Sequence, residues 1–306
     1  MLLGDFESAW RESDAILRRG SSTTPELWDG LTFDDKRVII RCLHGYGDSI
    51  QFLRYAKPLR RRASRVIVQT HPEMVSLVER MPGIDQVVTW SSDLPRHGWD
   101  QQIEVTELPR AFRTQISSIP SEIPYIDIDP KAIEKSRRCL GGSTRRKVGL
   151  LWASSNWNPA RCMRLADLQP LLNIGDIDFY SFQRGEDRSQ LLEIADAYSI
   201  HDTAVHSPRI VDTAADLMNM DLLITVDTMA AHLAGALGRP VWTLLPFEAD
   251  WRWMVGRSDS PWYPTMRLFR QPTPGDWASV TVDVATWLSR AFQRSGNNEA
   301  GFASGL

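Results

Sequence analysis

Short apolar runs alternate with amphipathic stretches along the chain from residue 37 onward. Val38–Ile40 and Val66–Val68 are β-branched and uninterrupted, a pattern typical of strands that are buried on both faces. Between them, apolar residues recur every third position over 48–62, which predicts a helix that Pro58 kinks or shortens. Similar patterns predict a helix at His71–Met81 and strands at Gln86–Val88, Asp100–Val105 and Pro124–Ile128. This alternation predicts a parallel sheet with right-handed crossovers.

The alternation restarts after Ser136–Arg146, a basic, glycine-containing stretch without periodicity that is the best linker candidate. Strands are predicted at Val148–Trp152, Ile177–Phe182, Leu222–Val226 and Val241–Leu245, and helices at Ala166–Leu172, Asp187–Ala197, Arg209–Asn219, Thr228–Leu237 and Asp276–Phe292. We therefore expect two doubly wound α/β domains in tandem, with the cleft between them as the binding site.

The domain boundaries follow from these patterns. An amphipathic repeat at 5–19 predicts a helix that docks on another part of the protein, and 1–34 is assigned to this helical segment and its connector. The first α/β domain is placed at 35–140 and the second at 141–294. The small, polar residues of 295–306 predict a disordered tail.

Composition narrows the class of protein. The 306 residues include 35 Lys and Arg against 38 Asp and Glu, which gives a net charge of −3. Such a chain has no overall positive potential that would attract nucleic acid or an anionic membrane. The three cysteines, Cys42, Cys139 and Cys162, lie far apart without metal-ligand spacing, which favours a reducing compartment over a disulfide framework or a zinc site. No apolar run approaches the roughly 18 residues of a membrane span, and acidic residues stand near the start, where a signal peptide carries basic ones. We expect a soluble cytoplasmic protein.

The first candidate for chemistry is His44-Gly45-Tyr46-Gly47-Asp48, directly after the first strand. Gly45 and Gly47 permit a tight turn and close approach of the backbone to a ligand, and Asp48 stands at the start of the next helix. The segment is not a dinucleotide fingerprint, because Ile50 stands where the third glycine belongs. Asp48 either caps the helix or presents a catalytic carboxylate to the crevice at the strand end.

The second candidate is the strand–turn–helix segment around Asp227-Thr228. The first N–H groups of the following helix, at Met229 and Ala230, and its positive dipole end suit a diphosphate. His232 lies four residues after Thr228, on the same helical face, and could point at the same anion. The alternative is an Asp-Thr cap followed by a core histidine.

Two further loops follow predicted strands. In residues 153–164, Ser154 marks a loop, and Arg161 and Arg164 are fixed charges suited to phosphate oxygens. We expect one of these two arginines to reach the ligand and the other to be solvated or paired with a carboxylate. Gln183 and Arg184 offer an amide for a base or ribose and a cation for phosphate, with a plain surface turn as the alternative.

Other patterns favour structural roles. The triplets Asp127–Asp129 and Asp176–Asp178 resemble metal-binding pairs, but Asp129 precedes Pro130 as a helix cap does, and both acids of the second triplet flank a strand start. No hard-cation site is predicted. The tryptophan-rich residues of 251–264 and Trp277 could stack on a nucleobase or sugar, or fill space between the domains.

Four segments together resemble the glycosyltransferase family 9 (heptosyltransferase-like) domain: HGYGDSIQFLRY, VGLLWASS, FYSFQRG and above all ITVDTMAAHLAGALGRPVW. The resemblance runs from about Arg37 to Phe292 and is greatest to domains at the C-terminus of bacterial tetratricopeptide-repeat proteins. The initial LLGDFESAWRES resembles the last tetratricopeptide helix of such proteins.

This resemblance implies a GT-B fold: two Rossmann-like domains facing a cleft, the acceptor in the first and the donor in the second, with no required metal or cofactor. By position, Asp48 matches a general base, Asp227, Thr228, Met229, Ala230 and His232 match a nucleotide-diphosphate site, and Gln183 and Arg184 match a pair that contacts the nucleotide and its phosphate. Heptosyltransferases commonly have glycine where Met229 stands, and this puts ADP-heptose as the donor in question.

The leading hypothesis is an inverting, metal-independent glycosyltransferase that uses a nucleotide-diphospho-sugar and a glycan, lipid-glycan or protein acceptor. No nucleic-acid partner and no integral membrane segment are expected, while peripheral membrane association and the oligomeric state stay open. The alternatives are a non-catalytic module that binds a nucleotide sugar or a protein, and a sugar-nucleotide epimerase of the same fold.

Overall fold

A computed structural model describes residues 1–19, 32–90, 98–154 and 158–294, apart from the side chains of 16–19 and 293–294. The chain divides into two compact units, Met1–Asp127 and a second unit that begins at Ile128. The predicted tail at 295–306 and most of the connector before residue 35 lie outside the described residues.

The first unit is built on a four-stranded parallel sheet in the order β3-β2-β1-β4. Its core is β1, where Val38, Ile39 and Ile40 are fully buried, as a strand with neighbours on both faces requires. The strands are β1 (Arg37–Arg41), β2 (Arg65–Thr70), β3 (Gln86–Thr89) and β4 (Gln101–Glu104). The helices are α1 (Phe6–Arg19), α2 (Tyr46–Phe52), α3 (Ala56–Arg60), α4 (Val75–Val78) and α5 (Leu108–Ala111).

The helix predicted over 48–62 is divided by a 3-10 turn at Leu53–Tyr55. Pro58 lies in α3, and a proline ring clashes with the carbonyl four residues before it, which here belongs to Arg54. The interruption therefore falls one turn before the proline.

The N-terminal helix docks on its own unit. Phe6 and Trp10 are buried, and the Trp10 indole donates a hydrogen bond of 2.7 Å to the Thr114 carbonyl. Asp14 forms ion pairs with Arg110 at 2.9 Å and Arg113 at 2.6 Å. This confirms the predicted helix and identifies its partner.

The second unit carries a six-stranded parallel sheet in the order β10-β9-β8-β5-β6-β7. The strands are β5 (Arg146–Leu151), β6 (Ile177–Ser181), β7 (Ile200–Asp202), β8 (Leu222–Val226), β9 (Val241–Leu245) and β10 (Met266–Arg270). The helices are α6 (Pro130–Cys139), α7 (Gln169–Leu172), α8 (Gln190–Ile194), α9 (Ile210–Met218), α10 (Met229–Ala236) and α11 (Trp277–Arg294). The chain moves outward from β5 to β7, then returns to the other side of β5 at β8, so the topological switch point lies between β5 and β8.

The strand predictions need correction at three places. Pro124–Ile128 forms no strand; Pro124 cannot donate to a ladder, and the Tyr125 hydroxyl instead donates to the Ile50 carbonyl at 3.0 Å. The edge strands β7 and β10 are missed, β7 because it has only three residues and β10 because Arg267 and Arg270 interrupt its apolar run.

The predicted linker at Ser136–Arg146 is regular structure at both of its ends. Ser136–Cys139 closes α6 and Arg146 opens β5. Asp129 caps α6 as predicted, accepting from the Lys131 N–H at 2.8 Å. Because α6 packs on α9, the division of the chain falls after Asp127 instead of after residue 140.

A buried carboxylate fastens α6 to α9. Asp216, only 1 % exposed, accepts hydrogen bonds from the hydroxyls of Ser136, at 2.6 Å, and Ser207. The His206 Nε2 lies 3.6 Å from the same carboxylate. Burial raises the pKa of Asp216 above its ordinary value, although the two hydroxyl donors act in the opposite direction.

This raised pKa predicts a pH-dependent stability. The contribution of Asp216 to the free energy of unfolding is fully present below the ordinary carboxyl pKa and is lost as pH rises through the higher folded value. Asp216→Asn removes that titration, so its unfolding free energy should improve relative to the parent chain as pH rises above about 4, the ordinary carboxyl pKa. Urea unfolding at several pH values measures the difference, in a His206→Asn background that removes the imidazole beside the carboxylate.

The exposed Asp196 provides the matched control. The stability difference between Asp196→Asn and the parent chain should not change with pH. A difference for Asp216→Asn that is equally flat, or that moves in the opposite direction, would contradict the assignment.

The glycine at 235 serves packing. A Cβ built on Gly235 would lie 2.5 Å from the ring of Tyr263, a distance that forces a neighbour to move. Tyr263, Trp253 and Trp262 are fully buried within the second unit. For these three aromatic residues the space-filling interpretation is therefore correct, although the space lies within one unit.

Candidate functional site

A buried ion pair stands at the switch point of the six-stranded sheet. Arg161 Nη1 donates to Asp227 Oδ2 at 3.0 Å, and the two side chains are 16 % and 3 % exposed. Arg161 comes from the loop after β5 and Asp227 follows β8, and these two strands are paired in parallel. Since ligands of open α/β sheets bind at the carboxyl ends beside the switch point, the pair marks the candidate site.

The N-terminus of α10 begins beside this pair. Thr228 is the N-cap, and its hydroxyl oxygen accepts from the Ala230 N–H at 3.3 Å and lies 3.1 Å from the Thr225 hydroxyl. The N–H of Met229 is the first of the helix and has no partner within it. Thr228 thus has the capping role that the sequence left as an alternative, and the helix presents its positive end at the strand terminus.

His232 does not lie where the sequence hypothesis places it. The imidazole is 2 % exposed, its Nδ1 is 3.0 Å from the Tyr263 hydroxyl, and its ring stacks on Trp253 at 5.3 Å. In this structure His232 has the packing of a core histidine, the alternative that the sequence left open. Its predicted contact with a diphosphate stays a prediction.

Gln183 also turns inward. Its Oε1 accepts from the N–H groups of Trp152 and Ala153, at 3.2 and 2.9 Å, while its Nε2 donates to the carbonyls of Ala153 and Arg184. At 3 % exposure the amide ties the end of β5 to the end of β6. In this structure Gln183 therefore has a positioning role, and its predicted contact with a nucleotide stays a prediction.

The remaining predicted side chains lie around the same edge. The Arg184 guanidinium donates to the Ser207 carbonyl and to the Thr213 hydroxyl, the latter at 3.3 Å, so it leans toward the loop between β7 and α9. The backbone N–H of Ser154 donates to the Cys162 thiol at 3.2 Å. Arg164 is exposed. Their contacts with a ligand stay predictions.

The first sheet presents its own candidate at the end of β1. Gly45 is the N-cap of α2, Gly47 lies in its first turn, and Asp48 is the third helical residue and half-buried. A Cβ on Gly45 would meet the Asp48 carboxylate at an ordinary 3.6 Å, so this glycine is not required by contact with that group.

Sequence reasoning missed Ser207, in the loop after β7, whose carbonyl accepts from Arg184, and Glu104, the last residue of β4, which contacts His44. Their position at or after the end of a strand is the signal that could have identified them, because the carboxyl ends of parallel strands lie at the same edge of a sheet.

Within the described ranges, no group of three or more His, Cys, Asp or Glu side chains could hold a metal ion. None of the helices that the structure describes is long and apolar enough to cross a bilayer.

Comparison with known proteins places this fold. No family model matches the chain. It is 23 % identical over 322 residues to the protein FlbA of Caulobacter vibrioides, in an alignment that covers 94 % of this chain and 53 % of that protein. The chain therefore spans about half the length of the curated relative that it matches.

Solved structures similar to the chain include the following three. The glycosyl transferase family 9 protein of Veillonella parvula has a TM-score of 0.65 at 12 % identity, over 86 % of this chain and 98 % of that one. The ADP-heptose lipopolysaccharide heptosyltransferase II of E. coli gives 0.64 at 13 %, over 85 % and 99 %. The iron-containing dodecameric glycosyltransferase TibC of enterotoxigenic E. coli gives 0.54 at 13 %, over 87 % and 78 %. At this level of identity the likeness establishes the fold, which is GT-B with two parallel sheets.

Proposed function

We propose that the chain is a glycosyltransferase that moves a sugar from a nucleotide-diphospho-sugar to a glycan, lipid-glycan or protein acceptor, with inversion and without a metal ion. One observation carries this proposal: the Arg161–Asp227 pair and the capped N-terminus of α10 meet at the switch point of the second sheet. The GT-B fold, shared with transferases of nucleotide sugars, supports it.

The donor diphosphate would lie against the start of α10. The Met229 N–H and the helix dipole supply donors and positive potential, and Arg161 is held at the same strand end by Asp227. Arg164 and Arg184 are the further cations available along this edge. Because His232 is packed in the core, guanidinium groups and backbone N–H groups stabilise the negative charge that develops on the leaving diphosphate.

The acceptor side of the reaction would use Asp48. As the acceptor oxygen attacks the anomeric carbon, its proton passes to the Asp48 carboxylate and the bond from the anomeric carbon to the diphosphate oxygen breaks. The products are the glycosylated acceptor and the nucleoside diphosphate. Attack on the face opposite the leaving group inverts the anomeric centre.

A non-catalytic module that binds a nucleotide sugar or a protein is the second candidate. It is supported by the burial of Gln183 and His232, whose side chains contact other residues of the protein in this structure. The alignment with FlbA leaves about half of that protein outside the match, so a binding module within a larger protein is consistent with the comparison.

We also propose that the protein works in the cytoplasm in association with tetratricopeptide repeats. Its three cysteines are free, as is typical of a reducing compartment. The docked helix α1 corresponds to the segment that resembles a terminal tetratricopeptide helix.

Calorimetry with UDP-, GDP- and ADP-sugars, followed by assays for nucleoside diphosphate release, tests the proposal. We expect one nucleotide series to bind and to release its diphosphate, and we expect both to survive treatment with EDTA. Binding without release would support the non-catalytic module. Loss of activity with EDTA that iron or another metal restores would disprove metal independence.

A further inference from the structure

All four strands of the first sheet deliver side chains to one edge. In the parallel register, Arg41 of β1 pairs with Glu104 of β4, and Thr70 of β2 pairs with Thr89 of β3. The residues that follow are therefore neighbours at the carboxyl edge: His71 after β2 and Trp90 after β3. The switch point of this sheet lies between β1 and β4, where its ligands should bind.

Two stacked rings, those of Trp90 and His71, lie at this edge, and this pair is called the aromatic wall below. Trp90 stacks on His71 with ring centroids 5.7 Å apart and planes at 26°, and His71 meets the Tyr46 ring edge-on at 5.2 Å. The Trp90 indole N–H donates to the Cys42 carbonyl at 3.2 Å, which fixes the ring. The indole is nonetheless 37 % exposed. A large aromatic ring that is held in place and still open to solvent is suited to stacking.

Polar groups stand beside the wall. The His44 Nε2 contacts the Glu104 carboxylate, with side chains 54 % and 29 % exposed, and this pair spans the switch point. The Tyr46 hydroxyl donates to Glu73 at 3.2 Å. Tyr46 and Asp48 both belong to the first turn of α2. The proposed base and the aromatic wall thus share one short helix.

Among the described residues at this edge, carboxylates come from Asp48, Glu73 and Glu104. A described cation beside them is Arg41, whose guanidinium donates to Gln102 at 2.9 Å and lies 5.8 Å from the centre of the Trp90 ring. Carboxylates accept hydrogen bonds from hydroxyl groups and repel anions.

We propose that this edge is a subsite for a neutral sugar ring of the acceptor, with the Trp90–His71 pair as its stacking wall and the His44–Glu104 pair as its hydroxyl partner. The C–H face of a pyranose is apolar and packs on an aromatic ring, while its hydroxyl groups meet carboxylate and imidazole. The inference rests on the proposed function for the role of the sugar as acceptor, and it excludes acceptors whose reacting ring carries a carboxylate or phosphate.

Saturation-transfer NMR tests the subsite without a donor. The probes are the methyl glycosides of glucose, galactose and mannose at millimolar concentration, with methyl glucuronide as the anionic counterpart. We expect transfer to the ring protons of at least one neutral glycoside and weaker transfer to the glucuronide. Trp90→Ala should weaken binding by about 10-fold, Trp90→Phe by much less, because phenylalanine keeps an aromatic face.

Leu192→Ala removes an exposed apolar side chain of the second unit and should change nothing. In the parent chain, the indole N–H resonance of Trp90, assigned by its loss in Trp90→Phe, should shift during titration, which gives a readout that does not depend on the folding of Trp90→Ala. No transfer to any neutral glycoside, preference for the glucuronide, or an unshifted Trp90 resonance would each overturn the inference. Nucleotide-sugar calorimetry reports separately on the proposed function, so failure of the one can be told from failure of the other.

Discussion

Asp48→Asn is expected to lower the rate of sugar transfer by about 10²–10⁴-fold, the contribution of a positioned general base. Asparagine keeps the size and the hydrogen-bonding shape of the side chain but cannot take the proton of the acceptor hydroxyl. Since the donor is bound by the second sheet in the proposal, the dissociation constant for the nucleotide sugar should stay unchanged. Initial rates of transfer and calorimetry with the same donor measure the two quantities.

Asp34→Asn is the matched control, because Asp34 is an exposed carboxylate before β1 in the same unit. It should leave both the rate and the donor affinity as they are. Full transfer activity in Asp48→Asn would remove this residue from the mechanism and would direct attention to the His44–Glu104 pair at the same edge. An equal loss of donor binding would mean that the substitution disturbs the fold.

The strands that carry both candidate sites could be predicted from the sequence because their composition allows few alternatives. Residues 222–226 and 241–245 are apolar apart from Thr225 and Thr243, and a strand buried on both faces needs such a run. Glycine, proline and acidic residues mark the loops that follow. The position of the candidate residues at strand ends could therefore be predicted from the sequence.

The direction of individual side chains could not be predicted in the same way. Spacing puts Thr228 and His232 on one face of α10, but Ala230–Ala236 is buried on every side, so one shared face does not imply a shared ligand. Tyr263, 31 residues later, decides the orientation of the imidazole. Likewise Gln183 bonds to the end of another strand. Contacts over such separations leave no periodic trace in the sequence.

Breaking the Arg161–Asp227 pair is expected to lower both the unfolding free energy and the rate of sugar transfer. Arg161→Met leaves the carboxylate of Asp227 buried without this partner, and breaking a buried pair costs about 3 kcal/mol of unfolding free energy. The same substitution removes a cation from the proposed diphosphate site, so transfer should slow by about 10²–10³-fold. Urea unfolding and initial rates measure these two losses separately.

The double variant Arg161→Met/Asp227→Asn separates the two effects. With both charges gone, no buried carboxylate is left uncompensated, so stability should return to within about 1 kcal/mol of the parent chain. The rate should stay low, because neutral side chains cannot balance the charge that develops on the leaving diphosphate. A double variant that regained its rate along with its stability would show that the pair only supports the fold.

Arg188–Asp202 is the matched ion pair, with a separation of 2.6 Å but with side chains 45 % and 19 % exposed. Arg188→Met should cost less than about 1 kcal/mol, as exposed pairs do, and should not affect transfer. The contrast follows from solvation alone: water can replace Arg188 beside Asp202, whereas it cannot replace Arg161 beside Asp227, whose side chain is 3 % exposed. The buried carboxylate of Asp227 therefore requires an arginine at the switch point. In the proposed diphosphate site, that same arginine, Arg161, also contacts the donor.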